Sequence, residues 1–96
     1  MPAYIIANIH VTDSERYKDY VAAVPALIAK HGGKYRVRGG DSSVLEGGWA
    51  TGRLVVIEFP DRDAALGFYE DPAYVPLQSL RQSAAESDVL IVDGVD

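Results

Sequence analysis

Asn8 and His10 stand two residues apart in the run AYIIANIHV. In an extended chain that spacing points both side chains to one face, about 7 Å apart. Both can then reach one small ligand, with His10 able to move a proton and Asn8 able to hydrogen-bond a polar group. The structural alternative is a solvated histidine at a strand end and an asparagine that satisfies a neighbouring backbone group. Glu58 is an acid among the apolar residues of RLVVIEF. Buried alone, its carboxyl would rise toward the range of a general base; beside Arg36, Arg38, Arg53 or Arg81 it would form an ion pair. Arg38 precedes Gly39 and Gly40, which sets a guanidinium next to accessible backbone N–H groups, a seat for a carboxylate or another small anion. Glycines after a strand also simply mark a turn. Tyr69 and Tyr74 flank Pro72, where their hydroxyls can orient a ligand carbonyl or close a pocket, and Tyr17 and Tyr20 supply further rings. In an enzyme, Arg38 would hold an anionic group, Glu58 or His10 would shuttle a proton, and a tyrosine would stabilise negative charge developing on oxygen.

Other chemistries lack their residues. The chain has no cysteine, which removes disulfides, thiolate metal sites and thiol nucleophiles. A two-histidine metal site needs His10 to meet His31, and nothing in their spacing predicts it. No metal and no cofactor are expected. There is no Ser-His-Asp set, nucleophile elbow, paired-carboxylate motif, Walker loop or dinucleotide fingerprint. Fourteen acidic and nine basic side chains give a net charge of -5 and a pI near 4.8, which repels phosphate backbones and anionic lipid. Nucleic acid and membrane are therefore not expected partners. No apolar run approaches the ~20 residues of a membrane span, and MPAYIIANIH reads as a strand rather than a leader, so the expected location is the cytoplasm. Ninety-six residues suffice for one domain, residues 1–96.

The elements that must position these residues follow from periodicity. Residues 3 to 11 alternate Ile5, Ala7, Ile9 and Val11 against Tyr4, Ile6, Asn8 and His10, a central strand that is largely apolar on both faces. Thr12 and Glu15 have the form of a capping box, opening a helix whose inner stripe is Tyr17, Tyr20, Val21, Val24, Leu27, Ile28 and His31. Pro25 predicts a kink or break in it, and Gly32 and Gly33 predict its end. KYRVR alternates Tyr35 and Val37 against Lys34, Arg36 and Arg38, a strand with one wet face. A glycine-rich loop then carries Trp49, which either caps the edge of the core or forms a lid over a cavity. In the next strand Arg53, Val55, Ile57 and Phe59 face one way, toward the helices; Leu54, Val56 and Glu58 face the other. Asp61 is a natural N-cap for a helix that stops at Pro72. Pro76 opens a short helix with Leu77, Leu80 and Ala84 inward, and residues 88 to 93 form the last strand.

Right-handed crossovers then give an α+β fold: a ferredoxin-like βαββαβ plait, a four-stranded antiparallel sheet of order 4-1-3-2 with helices on one face. The other face is apolar too. A second copy of the chain would cover it, two sheets packing across a two-fold axis.

The segments AYIIANIHVTDSERYKDY, HGGKYRVRGG, VLEGGW, RLVVIEFPDRDAALGFYEDPAYVPLQSLR and DVLIVDGV together resemble the domain of unknown function 1330 family, of the dimeric α+β-barrel superfamily. The resemblance covers nearly the whole chain and implies the fold and a homodimer, but no activity. The superfamily includes cofactor-free monooxygenases of quinone-like aromatics, haem-degrading enzymes, small isomerases and ligand-binding regulators, usually with a cavity between sheet and helices. Asn8 with Trp49 resembles part of a monooxygenase arrangement, although the local sequence does not match; His31 is the one helix histidine to consider against the haem degraders. Two readings stay open. One is a homodimer that binds or transforms a small polar-aromatic or carboxylated metabolite in that cavity, through Asn8, His10, Arg38, Glu58, Tyr69 and Tyr74. The other is a non-catalytic ligand sensor or assembly module.

Overall fold

Strand β1 (Ala3–Val11) pairs antiparallel with β3 (Arg53–Phe59) on one side and β4 (Ala85–Asp93) on the other in the computed structural model, which describes all 96 residues. Strand β2 (Lys34–Arg38) completes the sheet beside β3, in the order β2-β3-β1-β4. This is the expected plait. Alternation along β1 sends Ala3, Ile5, Ala7 and Ile9 into the core beneath the helices and leaves Tyr4, Ile6 and Asn8 half-buried on the other face.

Helix α1 (Ser14–Lys30) is capped by Asp13, whose carboxylate accepts from the Arg16 N–H at 3.1 Å. The Thr12–Glu15 capping box does not form. Thr12 and Asp13 both donate their N–H groups to the Ala84 carbonyl, at 2.8 and 3.0 Å, and Asp13, with extended φ -134° and ψ 94°, takes the N-cap position so that the helix begins after it. Pro25 does not break the helix, which runs through it. Proline in a helix interior costs about 3 kcal/mol, and the buried stripe Tyr17, Tyr20, Val24, Leu27 and Ile28 on both sides of it outweighs that. Gly32 (φ 77°) ends the helix: its N–H reaches Ala29 O and that of Gly33 reaches Ile28 O, both at 3.0 Å, the pair of bonds that satisfies the last carbonyls. A Cβ on Gly33 would lie 2.6 Å from Ile28 Cγ2 and 2.8 Å from Phe59 Cε1, so the turn can press against the core only with glycine there.

The pairing of β2 differs from simple alternation. Tyr35 lies opposite Ile57 and Val37 opposite Val56, which leaves Arg36 as an extra residue in a β-bulge. A bulge reverses the facing of everything after it. Arg38, expected on the face opposite Tyr35, therefore shares the helix side with it, opposite Val55.

Helix α2 (Arg62–Tyr69) is capped by Asp61, which accepts from Ala64 N–H at 2.8 Å. Helix α3 (Tyr74–Ala84) begins two residues before Pro76, which is tolerated because the first turn has no intrahelical N–H bonds to lose. Strand β4 begins at Ala85, earlier than expected from sequence, because Ala85, Glu86 and Ser87 pair with Val11, His10 and Ile9. The largest fully buried side chain is Phe59, 1% exposed, with its ring 5.7 Å from that of Phe68.

All three helices lie on one side. On the other, Val37, Val56, Ile6 and Leu90 are cross-strand partners in one apolar row that spans all four strands, with Leu90 55% exposed. No helix is long and apolar enough to cross a membrane.

Candidate functional site

Between sheet and helices lies a partly open cavity of about 50 Å³, room for a few water-sized groups. Its walls carry three arginines (Arg38, Arg53 and Arg81) and five tyrosines, and no Asp, Glu, His or Lys. The remaining lining is apolar and comes from β1, β3, β4 and the helices.

Each arginine reaches the cavity by a different local device. The bulge turns Arg38 inward, where its Cζ lies 4.6 Å from the centroid of the Tyr35 ring, within the range of a cation–π contact. Arg53 opens β3 in phase with Val55, Ile57 and Phe59; its Cζ is 6.0 Å from the Tyr17 ring, and its Nε is buried without a hydrogen bond. Gly39 (φ 70°) donates its N–H to Leu54 O at 2.7 Å. A side chain at Gly39 would overlap the Arg53 guanidinium, so glycine is what lets these two arginines share one corner. Arg81, on α3, is only 5% exposed. None of the three takes part in the chain's ion pairs, which use Arg36, Arg62, Lys18, Lys30, His31 and the N-terminus.

Tyr17, Tyr20 and Tyr35 are neutral hydrogen-bonding groups at ordinary pH. Burial pushes the hydroxyls of Tyr17, Tyr20 and Tyr35 upward. The Tyr20 and Tyr74 hydroxyls lie 2.9 Å apart in a buried hydrogen bond. Tyr69, 37% exposed, stands at the rim and accepts from Gln78 Nε2 at 2.8 Å. For Arg81, burial works against the charge, but Tyr74 and then Tyr20 and Tyr69 favour it, and the net direction is upward. It remains a guanidinium.

The residues singled out in the sequence divide between the two faces of the sheet. Arg38, Tyr69 and Tyr74 line the cavity; Asn8, His10 and Glu58 lie on the opposite face. Asn8 accepts from Gly52 N–H at 2.8 Å and donates to Ala50 O at 3.1 Å, which fixes the end of the long β2–β3 loop. His10 is exposed. Glu58 accepts from Arg36 Nε at 3.3 Å and from the Tyr4 hydroxyl at 3.2 Å. The Arg36 hydrogen bond, outweighing desolvation, holds its carboxyl below the usual value, the direction opposite to that of a general base. Trp49 is 62% exposed and neither caps the core nor covers the cavity. His31 Nε2 lies 2.8 Å from Asp71 Oδ2, far in topology from His10. No cluster of three or more His, Cys, Asp or Glu is arranged to hold a metal ion.

Arg53 and Arg81 enter the site without having been singled out for it. Both carried a signal. Arg53 shares the strand phase of Val55, Ile57 and Phe59, and Arg81 lies four residues after Leu77 and three before Ala84, inside the buried stripe of its own helix.

A four-stranded plait with its helices on one face is a fold that solved structures share. RPA0582 of Rhodopseudomonas palustris, a protein of unknown function, superposes with a TM-score of 0.81 at 18% identity, covering 99% of this chain and 83% of that one. A dimeric ferredoxin-like protein of unknown function from Jannaschia sp. CCS1 gives 0.72 at 10%, covering 98% and 100%. SnoaB of Streptomyces nogalater, a cofactor-independent oxygenase, gives 0.66 at 13%, covering 99% and 94%. At such identities the likeness is one of fold. The chain belongs to the DUF1330 family, a domain of unknown function, whose sequence pattern matches residues 2–95. No curated protein sequence matches it.

Proposed function

We propose that the protein is a homodimer that binds a small carboxylated or polar-aromatic metabolite in the cavity between sheet and helices, and transforms it, if at all, without a cofactor. The observation that carries this reading is three guanidiniums facing one cavity with no carboxylate among its lining residues, in a chain of net charge -5. Partly desolvated cations without anionic partners are costly, and an anion entering between them relieves that cost while the tyrosine rings pack against its apolar part. One fold neighbour is a cofactor-independent oxygenase, so chemistry without a cofactor is compatible with this fold. A non-catalytic sensor is the second reading, favoured by the lack of any Asp, Glu, His or Lys in the lining, the side chains most often used to abstract a proton near neutral pH.

The homodimer rests on the open face. The row Val37–Val56–Ile6–Leu90 is apolar surface that a second sheet would bury, and one fold neighbour is dimeric.

A thermal-shift screen against metabolites tests the binding reading. Carboxylated compounds are expected to raise the melting temperature, by the equivalent of about 2.7 kcal/mol at a hundredfold excess over Kd, and Arg38→Ala is expected to weaken the shift. Neither a carboxylated nor a polar-aromatic compound among the hits would overturn this reading in favour of an assembly module.

A further inference from the structure

We propose that the cavity has two anion seats and takes a dianion, either a small dicarboxylate or a carboxylate paired with a second anionic oxygen: an inner seat at Arg81 with the Tyr20–Tyr74 hydroxyls, and an outer seat at Arg38 and Arg53. This rests on the anion-binding reading above and sharpens it.

Three cations against no anion is more charge than one carboxylate neutralises. The arginines are also divided in space by the fold. Arg38 lies opposite Val55 on the neighbouring strand and Arg53 lies two residues before Val55 on the same face, so they converge at the β2–β3 edge of the sheet. Arg81 descends instead from α3, seven residues and two turns after Tyr74, on the same side of that helix. Tyr17, on α1, stands between the groups: Arg53 and, after it, Arg81 both draw its hydroxyl down against the upward push of burial.

The inner seat has donors to spare. In the Tyr20–Tyr74 pair one hydroxyl proton is used within the pair, which leaves the other free to donate. Arg81 brings five N–H donors and no carboxylate to receive them. All three side chains are at least nine-tenths buried, so an anionic oxygen here meets fixed donors in a poorly solvated place, where charge-assisted hydrogen bonds are strongest.

The outer seat opens to solvent. Arg53, Tyr17 and Val21 line both the cavity and an open groove of about 490 Å³ along α1, which also carries Lys18. A partly open cavity of about 50 Å³ encloses a carboxylate head, and the rest of the ligand extends past the tyrosines toward the groove. The second anionic group of a short ligand then falls where cavity and groove join, at Arg53 and Arg38.

The test measures affinity by calorimetry for matched probes: butyrate against succinate, and benzoate against isophthalate, with succinamide as the neutral control. The dicarboxylate of each pair is expected to bind about tenfold or more tightly than its monocarboxylate, and succinamide is expected not to bind. Arg53→Met and Arg81→Met should each bring the dicarboxylate down to the level of its monocarboxylate. Tyr74→Phe keeps the ring and removes one hydroxyl; it is expected to weaken the dicarboxylate about threefold or more, and it decides the inner seat if Arg81→Met fails to fold. Equal binding of mono- and dicarboxylates, with Arg38→Ala abolishing both, overturns the two seats and leaves the anion-binding reading standing. If no probe binds and the metabolite screen yields neither a carboxylated nor a polar-aromatic hit, both fall.

Discussion

On its helix side β3 presents Arg53, Val55, Ile57 and Phe59; on its other side it presents Leu54, Val56 and Glu58. The two faces leave opposite things unsatisfied. Beneath the helices the apolar residues are buried, and the arginines lack carboxylate partners. On the open face Glu58 is matched, meeting Arg36 and Tyr4, while Val37, Leu90 and Val92 remain exposed. Unmatched charge in a concave, half-dry site asks for a small ion of opposite sign. Uncovered apolar surface on a flat sheet asks for another protein surface. One strand thus faces a ligand problem on one side and a partner problem on the other, and the two can be tested separately.

The largest effect is expected on the covered face. Phe59 is 1% exposed and stacks on Phe68, so Phe59→Ala should cost about 3–5 kcal/mol of stability in urea denaturation. A loss under about 1 kcal/mol would mean that the space between sheet and helices is loosely packed, and that the cavity is not a shaped site.

Val56→Asp puts a charge at the centre of the open apolar row. If a second copy covers that row, the native protein scatters light as twice 10.4 kDa and the variant as a folded monomer, because an unpaired charge at a buried interface costs several kcal/mol. A native monomer at micromolar concentration, or a variant that stays dimeric, would remove the open face as the interface.

Much of this contrast is legible in the sequence, because period-two alternation assigns faces without knowledge of partners. The two face sets of β1, the helix side of β3, the four-stranded order and the Asp61 cap all follow from residue type and spacing. Arg38 is where alternation fails: one extra residue, Arg36, reverses its face, and a bulge is a decision of the paired strand that KYRVR alone does not carry. The start of β4 is hidden for a related reason, since Ala85–Ser87 has weak strand preference and is extended only because β1 lies beside it. Of the residues singled out for chemistry, Asn8 and Glu58 lie among their own local partners, loop amides for one and Arg36 for the other. A sequence shows the polar group but not whether a neighbour has already taken it.

Asn8 provides a smaller test of that division. Asn8→Ala removes two hydrogen bonds to the loop, at Gly52 and Ala50, for an expected cost of about 1–2 kcal/mol and faster hydrogen exchange at the Gly52 amide. Binding of isophthalate in the cavity should stay within about twofold, roughly 0.4 kcal/mol. Loss of binding with an unchanged Gly52 amide would put Asn8 in the site after all.

The smallest effect concerns acid. Asp71 sits at the α2–α3 turn, where the Ala73 N–H, then His31 and Lys30, hold its carboxyl well below its ordinary value of 3.8. A carboxyl whose folded value is depressed adds stability that is fully present above its unfolded value, and that is lost as pH falls through the folded one. Asp71→Asn should therefore be less stable than the native protein at neutral pH, with the gap narrowing only below pH 3.8. Glu58→Gln should behave alike below its ordinary value of 4.5, and more weakly, because its Arg36 partner is half in solvent. Denaturation midpoints of the three proteins followed down the acid limb measure both. A gap that widens on acidification for either variant would reverse the sign, and for Glu58 it would restore the raised carboxyl of a general base to the open face.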